Sequence, residues 1–224
     1  MSLPALSLLE TRVLGVLVEK QHTVPDTYPL TLNALTSGCN QKTSRDPVLE
    51  ATEAEVQAVV DRLKGLSLVV ESSGGRVMRY AHNVGRVLGV PAQAVALLTV
   101  IMLRGPQTVG ELRIHSERLH RFADISSVEA FLEELARRPA GPLVVELARQ
   151  PGARETRWAH LLSGPPALPA AEPAAASAAG GDAQQVTLGE LAALKTNVAR
   201  LEDELADVRA TVARIMQELG LPPG

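Results

Sequence analysis

The chain has few aromatic residues and only one cysteine. Its 224 residues include two Phe, two Tyr and one Trp, so hydrophobic cores must be built from Leu, Val and Ala. A single cysteine, Cys39, excludes an intramolecular disulfide, and nothing points to an oxidising compartment. The apolar run from Val95 to Leu103 is too short to span a bilayer, and the N-terminus lacks the pattern of a signal peptide. We therefore expect a soluble, cytoplasmic protein without membrane association.

A strong excess of positive charge is also absent. The net charge is −3, with zero over residues 1–89, +1 over 90–164 and −4 over 165–224. No segment therefore has the basic character typical of a dedicated nucleic-acid-binding domain.

A short strand pair occurs twice. Leu-Val-Val-Glu at 68–71 is followed by a Gly-containing break and Arg-Tyr-Ala-His at 79–82. Leu-Val-Val-Glu at 143–146 is followed by a break and Arg-Trp-Ala-His at 157–160. β-branched residues bounded by turn formers are typical of hairpins. Two such units in one chain indicate a duplicated module, and we call the two modules the first and second copy.

Three helices are predicted before each hairpin. In the first copy, one helix ends near Gln21 with Arg12 on its polar face, and a second starts near Thr27 or Tyr28. A third is capped by Thr52 with Glu55 in a capping box. In the second copy, one helix starts at Pro91, the next is capped by Thr108 with Glu111 as its box partner, and the third is capped by Ser126 or Ser127.

This order predicts a mainly α fold with small β-hairpins. The fold would be two tandem winged helix-turn-helix domains, at residues 1–88 and 89–163.

The spacing of the copies predicts an insertion in the first. Thr23-Val24 matches Thr108-Val109 at an offset of 85, whereas Val56 matches Val128 at 72. The first copy then has 13 extra residues between its second and third helices, within 39–50. Long polar loops in compact domains are often functional, although this one could equally be held by its own side-chain hydrogen bonds.

The C-terminal part of the chain, from residue 164 onward, differs from the two modules in composition. Residues 164–185 are rich in Pro, Ala, Gly and Ser and are predicted to be a flexible linker. Heptad spacing over residues 186–221 predicts a coiled-coil helix that forms a homodimer; the alternative is a single helix docking on its own chain. The apolar heptad positions are Leu191, Leu194, Val198, Leu201, Leu205, Val208, Val212, Ile215 and Leu219.

Two motifs carry a resemblance. Tyr-Pro-Leu-Thr at 28–31 with Cys-Asn-Gln-Lys-Thr-Ser-Arg-Asp-Pro at 39–47, and Leu-Arg-Gly-Pro-Gln-Thr-Val-Gly-Glu-Leu-Arg at 103–113, resemble the YceH-like family of bacterial proteins. The resemblance covers about residues 5–162 and extends more loosely to the heptads. It implies a tandem winged-helix fold of unsettled function and carries over no catalytic or binding residues.

Acidic and basic residues are predicted to lie on different parts of the surface. The outward positions of the third helices are mostly acidic, which disfavours their insertion into DNA because phosphate contacts supply much of the affinity. Basic groups in the loop and hairpins could instead hold a phosphate backbone or a partner. These candidate contacts are Lys42, Arg45, Arg76, Arg79, Arg113, Arg118, Arg154 and Arg157.

No catalytic, metal-binding or cofactor-binding set is predicted. Cys39 has no particular His partner, and His115 and His120 are five apart, off the spacing of a shared ligand face. His82 and His160 occupy matching hairpin ends, which favours a structural role.

The leading hypothesis is a non-enzymatic, DNA-associated regulator. The alternative is a protein-interaction scaffold that uses the winged-helix surfaces and the coiled coil. Possible partners are therefore DNA, other proteins and a second copy of the chain.

Overall fold

A computed structural model describes residues 3–72, 77–149 and 153–166. Within these ranges the chain is mainly helical, with two small antiparallel hairpins. The helices are α1 (Leu8–Thr23), α2 (Leu32–Cys39), α3 (Glu53–Gly65), α4 (Val84–Leu88), α5 (Ala92–Arg104), α6 (Val109–His115) and α7 (Ile125–Ala136). The strands are β1 (Val69–Ser72), β2 (Arg79–His82), β3 (Val144–Leu147) and β4 (Arg157–His160), and a 3-10 turn covers Pro25–Thr27.

The duplicated hairpins have the same register. Val69 pairs with His82 in the first copy, as Val144 pairs with His160 in the second. Each hairpin also forms a bridge to the residue before the second helix of its copy: Leu30 pairs with Tyr80, and Gln107 with Trp158. Both backbone hydrogen bonds of each bridge are present, at 2.7–3.1 Å. Each copy therefore contains three helices followed by a hairpin that is tied back to them, and the short helix α4 follows the first hairpin.

Side-chain hydrogen bonds to backbone N–H groups cap the N-termini of several helices. The capping boxes predicted at Thr52 and Thr108 are both present. The prediction that Ser126 or Ser127 caps α7 is wrong, because the Asp124 carboxylate accepts the Ser127 backbone N–H at 2.7 Å. Ser127 is instead the third helical residue, and its side chain completes that box.

The second helix of the first copy starts later than predicted. Thr31 caps α2, and the preceding residues are held extended because Leu30 bridges to Tyr80. Thr31 and Thr108 are thus equivalent, 77 positions apart, while α3 and α7 start 72 positions apart. The insertion between the second and third helices is therefore five residues long, and the predicted 13 are wrong.

Helix α1 is the centre of the core. Every side chain from Glu10 to Val18 is buried, so the prediction that Arg12 lies on a polar face is wrong. α1 packs on α2 and α3 of its own copy and on α5 of the second copy. The buried apolar side chains of both copies form one continuous cluster.

The residues that precede α1 also contact the second copy. The Leu6 backbone N–H donates to the Leu162 carbonyl at 2.8 Å. The division into domains at residues 88 and 89 stays a prediction.

Several predictions fall outside the described residues. These are the linker from residue 167 onward, the coiled coil at 186–221 and Arg76. In the ranges that the structure covers, no helix is both long and apolar enough to cross a membrane.

We predict that Gly15→Ala destabilises the protein by about 1–3 kcal/mol, because overpacking a dense core forces displacement of its neighbours. An ideal Cβ on Gly15 would lie 2.8 Å from Leu103 Cδ2, a buried side chain at the contact between α1 and α5. Gly110→Ala in α6 is the matched control, since a Cβ there meets nothing within 4 Å. That variant should be neutral or slightly stabilised. Denaturant unfolding measures both, and equal stabilities would contradict the tight contact.

Candidate functional site

The inserted loop joins the two copies. The Asp46 backbone N–H donates to the Leu103 carbonyl at 2.8 Å. The Arg104 guanidinium donates to Ser44 Oγ at 2.7 Å. The two sequence stretches that carry the family resemblance therefore meet, one in the loop of the first copy and one at the end of α5.

Arg45 holds this loop from inside. Its side chain is fully buried and donates to both Glu19 carboxylate oxygens, at 2.7 and 3.1 Å. It also donates to Gln41 Oε1 at 2.6 Å and to the carbonyls of Gly38 and Ser44. Burial raises the pKa of Glu19, but the hydrogen bonds and charges of Arg45 and Lys20 together outweigh burial and lower it overall. The Arg45 guanidinium is therefore committed to the loop and is not exposed to a partner.

Arg12 is a second buried guanidinium beside the loop. It donates to the carbonyls of Cys39 at 3.1 Å and Pro47 at 2.5 Å, so it joins α1 to both ends of the loop. Burial, followed by the nearby charge of Arg45, lowers its pKa. Sequence reasoning missed this role, because the carbonyls that Arg12 binds lie 27 and 35 residues away.

The thiol of Cys39 has low reactivity. Its side chain is buried, and burial raises the pKa of the thiol to about 12, although Arg12 and Arg45 oppose this shift. A thiol with such a pKa is a weak nucleophile at neutral pH.

The first arginine of the second strand has the same structural role in each hairpin. Arg79 donates to the carbonyls of Thr27 and Pro29 at 3.1 and 2.8 Å. Arg157 donates to the Pro106 carbonyl at 2.9 Å and to Glu111 Oε1 at 3.3 Å. Both side chains therefore tie a hairpin to the segment before the second helix.

The other candidate contacts lie at the surface. Lys42, Arg113, Arg118 and Arg154 are exposed and make no side-chain hydrogen bond or ion pair with another described residue. Three of these four belong to the second copy. Among the candidate contacts that the structure describes, these four remain available to an external partner.

The exposed charges of the third helix of each copy are mainly acidic, although α3 also exposes Arg62, which pairs with Glu10 at 3.0 Å. In α3 the exposed residues Glu53 and Asp61 accept hydrogen bonds from Asn33 and Gln57, and Glu55 completes the capping box. In α7 the exposed carboxylates are Glu129, Glu133 and Glu134, of which Glu133 pairs with Arg137 at 3.3 Å.

No group of His, Cys, Asp or Glu within the covered ranges has the arrangement of a metal site.

Comparison with known proteins identifies the family. The sequence profile of the family described as "Protein of unknown function, DUF480" matches residues 6–153. The chain belongs to this family. A UPF0502 protein of Burkholderia vietnamiensis is 60% identical over 220 residues, which cover 98% of this chain and 92% of the relative. A UPF0502 protein of Dechloromonas aromatica is 58% identical over 217 residues, covering 97% and 99%. The predicted membership of an uncharacterised bacterial family is thus confirmed.

Two histidines of this DUF480 protein occupy equivalent hairpin ends. Burial, with a smaller effect of the neighbouring His22, lowers the pKa of His82 to about 4. His82 Nδ1 accepts the Val84 backbone N–H at 3.4 Å, which requires the neutral ring. Burial alone lowers the pKa of His160 to about 4. Both rings are therefore neutral in the folded protein at pH 7.

We predict that Arg45→Met destabilises the protein by about 3 kcal/mol, since it removes the buried charge partner of Glu19, which keeps its ion pair with Lys20, and the donor to the Gly38 carbonyl. Lys42→Met is the matched control, because it removes the same charge from an exposed position of the same loop and should change stability by less than about 0.5 kcal/mol. Urea unfolding measures the free energy of unfolding of both variants. A similar small effect for both would show that Arg45 is not a structural residue.

We predict that stability falls as the pH drops from about 6.5 to about 4. The unfolded chain takes up protons at the ordinary histidine pKa of about 6.5, whereas folded His82 and His160 resist protonation down to about 4. Their contribution is complete above pH 6.5 and is lost through this window. Each is expected to account for about 2 kcal/mol at pH 4, after allowance for partial exposure.

Unfolding free energies across this range should therefore fall less steeply for His82→Gln and His160→Gln than for the parent protein. His22→Gln, at an exposed position, is the control and should lose only a small part of the decrease, because His22 has the smaller effect on the pKa of His82. If the unfolding free energies of both test variants depend on pH as steeply as that of the parent protein, the lowered pKa values of His82 and His160 are wrong.

Proposed function

We propose that the two copies are tandem winged helices that act as a non-catalytic, cytoplasmic protein-binding module. The third helix of each copy would present its acidic face to a basic surface of a partner protein. The order of three helices and a tied-back hairpin, found twice, supports the winged-helix assignment.

The charge of the third helices carries this proposal. A winged helix that reads DNA places its third helix in the major groove, where carboxylates would repel the phosphates. Here α7 exposes Glu129, Glu133 and Glu134, and α3 exposes Glu53 and Asp61. Complementary charge steers association with a basic protein and suppresses unsuitable partners.

The hairpin arginines support the same conclusion. Contacts from the hairpins to phosphate would compete with existing hydrogen bonds, because Arg79 and Arg157 already donate to backbone carbonyls of their own copies. Arg45 is buried in the loop. Three of the eight candidate basic contacts therefore have structural roles.

A DNA-associated regulator is the second candidate function, and one observation favours it. Arg113, Arg118 and Arg154 are exposed in the second copy, without hydrogen bonds or ion pairs to other described side chains. Such groups can hold a phosphate backbone without reading bases. The heptad pattern at residues 186–221 supports a homodimer, which would bring two such surfaces together.

Site-specific photocrosslinking tests the leading proposal. A photoreactive amino acid at exposed Ala130 in α7, or at exposed Ala58 in α3, should trap a discrete partner protein in cells. The adduct should disappear when Glu129, Glu133 and Glu134 are changed to Lys, because the charge of the face is reversed. The same amino acid at exposed Ala153 in the second hairpin is the control position. No adduct, or an adduct insensitive to charge reversal, would contradict the proposal.

Fluorescence anisotropy with a labelled DNA duplex separates the two candidates. A protein-binding module should show no saturable binding at about 50 mM salt. DNA association would give binding that weakens steeply towards about 200 mM salt. That binding should be lost in the triple variant Arg113→Ala, Arg118→Ala, Arg154→Ala. The control is Arg121→Ala with Arg137→Ala, which removes arginines already paired with Glu117 and Glu133.

A further inference from the structure

A cleft of about 710 Å³ lies between the two copies. The first copy contributes Leu66 at the end of α3 and Leu88 at the end of α4. The second copy contributes Arg138 and Leu143 after α7, and Leu162 after β4. We call this space the inter-copy cleft. Its volume is within the range of small-molecule sites, which often lie where two structural units meet.

The lining combines apolar side chains with polar groups of Ser67 and of the backbone, and with a single charge. Most of its side chains are Leu, Val, Ala or Pro, and Arg138 is the only charged residue among the described residues that line it. A pocket of this kind binds an apolar body and orients it through a few polar groups.

Arg138 is held at the wall of the cleft. Its Nη2 donates to the Leu88 carbonyl of the other copy, which fixes the guanidinium between the copies. A guanidinium has five N–H donors, and this is the only side-chain hydrogen bond of Arg138 to another described residue. It forms no ion pair within the described ranges, in contrast to its neighbour Arg137, which pairs with Glu133. The charge of Arg138 is therefore available to an anion in the cleft.

From these features we infer that the inter-copy cleft binds a small amphipathic carboxylate with an unbranched apolar chain. The planar guanidinium matches a carboxylate in a bidentate arrangement, and the leucine-rich lining removes the chain from water. Because both copies form the walls, the ligand would bridge them. This inference is independent of whether the third helices bind protein or DNA.

Isothermal titration of the full chain with decanoate tests the inference. We expect saturable binding with one site per chain. 1-Decanol, which has the same chain length without the charge, should bind at least about ten-fold more weakly, since it cannot form the charged bidentate contact. No saturable binding of decanoate, or equal binding of the two compounds, would overturn the proposal.

Variants of the cleft locate the site. Arg138→Gln removes the charge but keeps a polar side chain at the wall of the cleft, and it should weaken decanoate binding about ten-fold while leaving 1-decanol unchanged. Arg137→Gln is the matched control, because it makes the same change one residue away at an exposed position and should leave both affinities unchanged.

The Gly65→Leu variant tests whether the ligand occupies the apolar part of the inter-copy cleft, and the result of this test does not depend on Arg138. Gly65 lines the cleft, and a Cβ there would meet no atom within 4 Å, so the helix should accept the side chain. We expect this variant to fold and to bind both compounds at least about ten-fold more weakly, because its side chain occupies the site. Thermal unfolding checks that each variant is folded. Full decanoate affinity in either Arg138→Gln or Gly65→Leu would overturn the proposal.

Discussion

The close packing of α1 against α5 is the contact on which the rest of the structure depends. Gly15 brings α1 near enough to Leu103 that a single methyl group would not fit without displacement. This contact makes the cores of the two copies continuous. It also places the inserted loop against the end of α5, where Asp46 bonds to the Leu103 carbonyl.

The arginines divide into structural and exposed groups, and this division bears on function. Arg12 and Arg45 are buried beside the inserted loop, while Arg79 and Arg157 tie the hairpins to their copies. Some basic residues of the loop and hairpins thus have structural contacts, whereas Lys42 and Arg154 are exposed and make no such contact with another described residue. The charges exposed on α3 and α7 are mainly acidic, which supports our proposal of a protein partner.

Local signals in the sequence were sufficient for local structure. Capping boxes at Thr52 and Thr108 and the alternating strands of both hairpins were predicted correctly. The start of α2 was not, since it is set by the pairing of Leu30 with Tyr80, 50 residues away. The burial of Arg12 was missed for the same kind of reason. Periodicity identifies a polar residue, but only tertiary packing decides whether that residue meets solvent or distant carbonyls. The inter-copy cleft is likewise formed by segments far apart in the chain.

Hydrogen exchange of the full chain, followed by mass spectrometry, tests the shared core most directly. Cooperative units open together, so peptides from α1 and α5 should exchange with the same opening free energy, and that value should be the highest in residues 3–166. If α5 keeps its protection under conditions in which α1 exchanges freely, the two copies have separate cores and the account is wrong.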